Sequence, residues 1–149
     1  MAAWCGVLVS TSRAPDVTSP EQLDREGVVL AVQRKTTGEE KARAHFPAAQ
    51  IRTYDNELDA ANEVAAGRAD AFVYDMVSVV KLHNRHRNAT HIVEADLGTE
   101  LYCIAWRKGS EEAALVDAFL ARESRPGGLI DQMLEKWLGD AARFRVDED

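Results

Sequence analysis

An α/β fold, with a mostly parallel sheet flanked by helices and two further helices at the C-terminal end, is predicted by three features of this sequence. Short apolar runs alternate with amphipathic stretches over the first two-thirds of the chain, the pattern of repeated strand–helix units. The run Val28-Val29-Leu30-Ala31-Val32 is continuously apolar, as a strand covered on both faces should be. Helix starts and stops also fall between these runs, at Ser19, Asn56 and Gly67.

Each element follows from local chemistry. Residues 6–11 read as the first strand and 12–18 as a loop. Ser19 caps a short helix, with Pro20 in its first turn and Gln22 placed to reach back to the cap. Residues 28–34 form a buried strand, and 38–46 a helix stopped by Pro47. The next strand covers 51–54. Asn56 then caps a helix whose Leu58, Ala61, Val64 and Ala65 keep a helical stripe, closed by Gly67. A strand over 69–74 leads into a helix bearing Met76, Val79 and Val80 on one face. Residues 91–97 and 100–107 read as two more strands. Leu115, Val116, Phe119 and Leu120 stripe one C-terminal helix. Leu129, Ile130, Met133, Leu134, Trp137 and Leu138 stripe another, and Arg125-Pro126-Gly127-Gly128 breaks between them. The acidic end Asp147-Glu148-Asp149 reads as a frayed tail.

The chemistry concentrates at two strand ends. Val28 to Arg34 runs into Lys35-Thr36-Thr37-Gly38-Glu39-Glu40, so an apolar strand stops at two threonines that open a helix. Free backbone N–H groups at such a helix start favour an anion. Gly67-Arg68-Ala69-Asp70-Ala71-Phe72-Val73-Tyr74-Asp75 is a helix stop, a short strand and then a carboxylate at the strand's end. An anion site and a fixed negative charge at the carboxyl ends of strands in one sheet suit a zwitterion. Two readings stay open for these residues. Thr36 and Thr37 cap the helix with their hydroxyls, or they hold a ligand carboxylate. Asp75 caps the helix from Met76, or it accepts a ligand ammonium. Gln33, Arg34 and Tyr74 flank these positions and either meet a ligand side chain or support the site.

Five segments in order resemble the second lobe of the bacterial solute-binding proteins for polar amino acids, the periplasmic receptors that feed ABC transporters. They are Ser19-Pro20-Glu21-Gln22-Leu23-Asp24, residues 33–40, Gly67-Arg68-Ala69-Asp70-Ala71, Ala105-Trp106-Arg107-Lys108-Gly109-Ser110, and 131–139. The resemblance implies a periplasmic-binding-protein-like lobe over 19–108, entered through a hinge strand and loop over 1–18. It also implies C-terminal helices over 109–139 and a tail over 140–149, all within a single domain 1–149. It assigns the substrate carboxylate to the turn at Thr36 and Thr37 and the ligand's ammonium to Asp75. The family usually has glycine where Lys35 stands. Its first lobe, with substrate-sandwiching aromatics and a carboxylate-gripping arginine, would precede Gly6. The expected function is therefore amino-acid binding, weak without that lobe, with an ABC-transporter permease as partner and a periplasmic or extracellular location. A truncated interaction protein is the alternative. A dehydratase acting on prephenate or arogenate is a further one on the same scaffold, although the glycine-rich turn of that enzyme is missing here.

Composition sets outer limits. A chain of 149 residues can bury one core without staples. Its net charge of −7 disfavours nucleic acid and anionic membranes as partners. No run is apolar and long enough for a membrane span, and no signal peptide is visible at Met1. Cys5 and Cys103 form no metal spacing and read as two buried thiols, while the resemblance places their strands side by side at the hinge. His83-Asn84-Arg85-His86-Arg87 reads as a solvated helix end, and two histidines without a third ligand do not predict a metal site. No nucleophile–base pair, metal-ligand set or cofactor motif is visible. The apolar C-terminal helices predict a homodimer.

Overall fold

The computed structural model describes residues 2–95 and 97–138. The tail at 140–149 and Gly139 lie outside these residues. Two compact units divide the chain: residues 4–100 form one, and 1–3 with 101–149 the other.

The larger unit is the α/β body. Its strands are β1 (Ala2–Ser10, of which residues 4–10 belong to this unit), β2 (Val29–Gln33), β3 (Gln50–Tyr54), β4 (Ala71–Asp75) and β5 (Thr90–Val93), in the order β3-β2-β4-β1-β5. A short strand β6 (Thr99–Leu101) pairs with β1 off this path. β2 runs parallel to both β3 and β4, whereas β1 runs antiparallel to β4 and to β5. Four strands thus share one direction, with β1 reversed between β4 and β5. The connections are α1 (Thr37–His45), α2 (Glu57–Ala65) and α3 (Met76–Arg85).

Both faces of the sheet are covered, which explains the continuous apolar runs. Val7, Val9, Leu30, Val32, Ala71 and Val73 form one buried face with Ala42 of α1 and with Phe46, which follows it. By alternation, Leu8, Ala31 and Phe72 point to the other side; all three are fully buried, and α2 and α3 pack there against each other. Helix starts follow the sequence. Thr36, Asn56 and Asp75 each accept a hydrogen bond from the N–H three residues on, those of Glu39, Asp59 and Ser78. Gln22 reaches back to the Ser19 N–H at 3.0 Å, so Ser19 opens the short 3-10 helix Pro20–Leu23.

Two strand readings need correction. Residues 91–97 were expected as a strand, but β5 ends at Val93. Of 100–107, only the first two residues lie in β6, and 102–107 have no regular secondary structure. Cys103 falls in that stretch and is exposed, unlike Cys5, which is fully buried in β1. Apolar, β-prone residues mark chain that fits a pleated, half-buried surface, and only tertiary pairing decides whether a ladder forms.

The second unit contains α4 (Glu111–Glu123) and α5 (Leu129–Leu138). None of its residues 102–137 is buried. Every large apolar side chain that is exposed among the described residues lies between Tyr102 and Trp137. Trp137 is 71% exposed and Leu115 72%.

Candidate functional site

Strand order locates the crevice. From β2 the chain crosses through α1 to β3 on one side, while from β4 it crosses through α3 to β5 on the other. The order therefore reverses between β2 and β4. Ligands of open α/β sheets bind outside the carboxyl ends of the strands at such a switch point. Residues 33–38 leave β2 there, and Tyr74 and Asp75 end β4 beside them.

A glycine that the sequence reading passed over brings these ends together. A Cβ on Gly38 would stand 2.7 Å from the Val73 carbonyl oxygen and 3.3 Å from Tyr74 Cα. The first turn of α1 can lean on the end of β4 because residue 38 has no side chain. Gly38→Val is expected to push the turn off the strand and cost about 2 kcal/mol, read from urea unfolding.

At the turn, the two threonines separate in role. Thr36 Oγ1 donates to the Gln33 carbonyl at 2.7 Å and accepts from the Glu39 N–H at 3.4 Å. Its only proton is thereby committed within the protein, and it works as the helix cap. Thr37 is exposed, and no described residue accepts from its N–H or from that of Gly38. These first-turn donors and the Thr37 hydroxyl are the groups left for an anion.

Lys35 stands in the left-handed region at φ 59°, the one non-glycine residue there among the described residues. That conformation costs a non-glycine residue roughly 1 kcal/mol, which accounts for glycine at this position in the family the sequence resembles. Its N–H donates to Glu39 Oε2 at 2.8 Å. This bond first, and Arg43 next, hold the Glu39 carboxyl below the usual carboxylate range.

Asp75 is half-buried. One carboxylate oxygen accepts from the Ser78 N–H at 3.0 Å, so the side chain caps α3. Capping uses one lone pair and keeps the charge, so it leaves room for a cation at the second oxygen. The flanking residues are tied elsewhere or stacked. Gln33 reaches the Asp55 carbonyl at 3.4 Å, and Arg34 pairs with the Asp55 carboxylate at 3.1 Å. Tyr74 stacks on Phe72, with ring centroids 5.4 Å apart. No group of three His, Cys, Asp or Glu with metal-holding geometry occurs among the described residues.

No family model matches this sequence. Its curated relatives include the L-cystine-binding protein TcyJ of Escherichia coli (strain K12), 24% identical over 78% of this chain and 44% of that protein. Among solved structures, the ancestral amino acid-binding protein AncCDT-1, a precursor of cyclohexadienyl dehydratase, is 34% identical with a TM-score of 0.74. That match covers 93% of this chain and 59% of the other. A binding component of an ABC transporter from Wolinella succinogenes DSM 1740, complexed with lysine, superposes with a TM-score of 0.81 at 26% identity. It covers 94% of this chain and 60% of that one. Its neighbours are polar amino-acid solute-binding proteins. The fold is that of the periplasmic binding proteins, and the chain spans about half the length of the curated relative it matches.

Proposed function

We propose that this chain is an amino-acid-binding lobe of an ABC-transporter solute-binding protein, with the ligand zwitterion held across the switch point between β2 and β4. The observation that supports this reading is the close approach of Gly38 to Val73 and Tyr74, which brings an anion-favouring helix start to the end of the strand that carries Asp75. Thr37 and the N–H groups of Thr37 and Gly38 take the ligand carboxylate, and Asp75 takes its ammonium. Thr36 shapes the turn, while Gln33, Arg34 and Tyr74 border the ligand side chain. The reading is non-enzymatic. It places the chain at a transporter permease in the periplasm or outside the cell; no helix among the described residues is long and apolar enough to cross a membrane.

For residues 1–149 by themselves, affinity is expected to be weak. A one-sided site leaves the ligand half in water and without a bidentate arginine partner, and each lost contact weakens binding by about 1–3 kcal/mol. Titration calorimetry of the chain against a panel of amino acids should give Kd values above about 10 μM. Submicromolar binding by a monomer would overturn the expectation of weakness. No heat at millimolar amino acid would remove the binding reading and leave an interaction protein.

A second reading, a homodimer through α4 and α5, is favoured because the exposed large apolar side chains among the described residues all lie within residues 102–137. Helices of this length are marginal in water unless an apolar face is covered. At micromolar concentration the chain should sediment above the 16.5 kDa of one copy, and Trp137→Asp should weaken association about tenfold or more. A monomer unchanged by that substitution would exclude the dimer.

A further inference from the structure

Glu39 ties the first turn of α1 to the chain just before it. One carboxylate oxygen accepts from the Lys35 N–H at 2.8 Å, and the other accepts from Arg43 at 3.1 and 2.8 Å. A glutamate at the third helical position ordinarily reaches back to the N–H of the cap residue itself. Here the cap is Thr36, and the carboxylate takes the N–H one residue earlier. No described residue accepts from the N–H of Thr36, Thr37 or Gly38. Both Glu39 oxygens are engaged within the protein, so the carboxylate acts on the turn rather than on a ligand.

The residue that Glu39 grips is the strained one. Lys35 stands at φ 59°, a conformation disfavoured by at least about fivefold for a residue with a Cβ. On either side the chain is fixed by other bonds. The Arg34 N–H donates to the Tyr54 carbonyl at 2.9 Å, and Thr36 Oγ1 donates to the Gln33 carbonyl at 2.7 Å. The bond to Glu39 is the one that the Lys35 N–H itself makes.

We propose that Glu39 is a positioning residue for the candidate anion site: by accepting from the Lys35 N–H it holds residue 35 in the left-handed form, and so keeps the Thr37 hydroxyl and the N–H groups of Thr37 and Gly38 set for a carboxylate. The proposal rests on the amino-acid-binding reading given above. Without the bond, Lys35 relaxes toward the conformations that a side chain prefers, and the turn is set in only a fraction of the molecules. Apparent affinity falls in proportion to that fraction. Glycine adopts the left-handed form without help, so the need for Glu39 is tied to the presence of a side chain at position 35.

NMR of the whole chain, first alone and then titrated with acetate at constant ionic strength, tests the proposal. In the unsubstituted chain, residue 35 should give the strong NOE between its own amide and α protons that a positive φ produces. Acetate should shift the Thr37 and Gly38 amides. Glu39→Ala should lose that NOE and weaken acetate binding about fivefold. Glu39→Gln keeps an acceptor oxygen and should stay within about twofold. In a Lys35→Gly background, Glu39→Ala should cost less than about twofold, which separates the hold on the turn from any charge that Lys35 contributes. An NOE that survives Glu39→Ala, or an equal cost in both backgrounds, would overturn the proposal and leave the anion site standing. Tighter binding by both Glu39 variants would also overturn it, because Glu39 would then act only as a charge opposing the anion. Unmoved Thr37 and Gly38 amides in the unsubstituted chain would remove the anion site, and the positioning role with it.

Discussion

Asp70→Ala is expected to cost the fold about 3 kcal/mol, the largest stability effect of any single polar substitution considered. The Asp70 side chain is 9% exposed, yet it carries three hydrogen bonds. Arg13 donates to its two oxygens at 2.9 and 3.1 Å, and the Val29 N–H donates at 2.8 Å. The backbone of Asp70 also accepts from Ser10 and donates to the Val29 carbonyl, so one residue ties β1, β2 and the start of β4. Truncation leaves a buried N–H and a guanidinium without partners. Breaking such a pair costs about 3–5 kcal/mol when both members are buried. Arg13 is 39% exposed and can turn to water, which places the cost at the low end. Chemical denaturation should show the loss as a lower midpoint with an unchanged slope. A change below about 0.5 kcal/mol would show that the backbone bonds alone hold the junction.

Asp75→Asn is expected to weaken amino-acid binding about tenfold or more while leaving the melting temperature nearly unchanged. Asparagine caps a helix about as well as aspartate, so the bond from the Ser78 N–H survives. What disappears is the fixed charge that would face the ligand's ammonium. Hydrogen bonds to charged groups contribute about 1.5–3 kcal/mol, which sets the scale of the loss. Calorimetry and a thermal melt on the same sample separate the two effects. Undiminished affinity in the variant would assign Asp75 to capping alone and move the ammonium site elsewhere.

Much of this site was legible because its parts are local. The strand entering Thr36 and the strand ending at Asp75 each announce themselves within a few residues, as do the caps at Thr36, Asn56 and Asp75. The division of labour between Thr36 and Thr37 was not legible, since two adjacent hydroxyls are chemically alike until one of them meets the Gln33 carbonyl. Gly38 was missed for a related reason. A glycine inside a helix start looks like a weak helix former, and its value lies in the approach of Val73 and Tyr74 from another strand. A glycine in the first turn after a buried strand is a signal that could have found it.

By itself, the sequence determined the α/β body, its helix boundaries and the two strand ends that carry the candidate site. These depend on apolar periodicity, capping chemistry and glycine stops, all readable over short spans of chain. Only the tertiary structure decided which strands pair, and so placed β1 reversed between β4 and β5 and put the crevice between β2 and β4. It likewise decided that Asp70 is a buried tie rather than a surface charge, through partners 41 and 57 positions away in the chain. Such contacts depend on which surfaces the folded chain brings together, and no short window of residues specifies them.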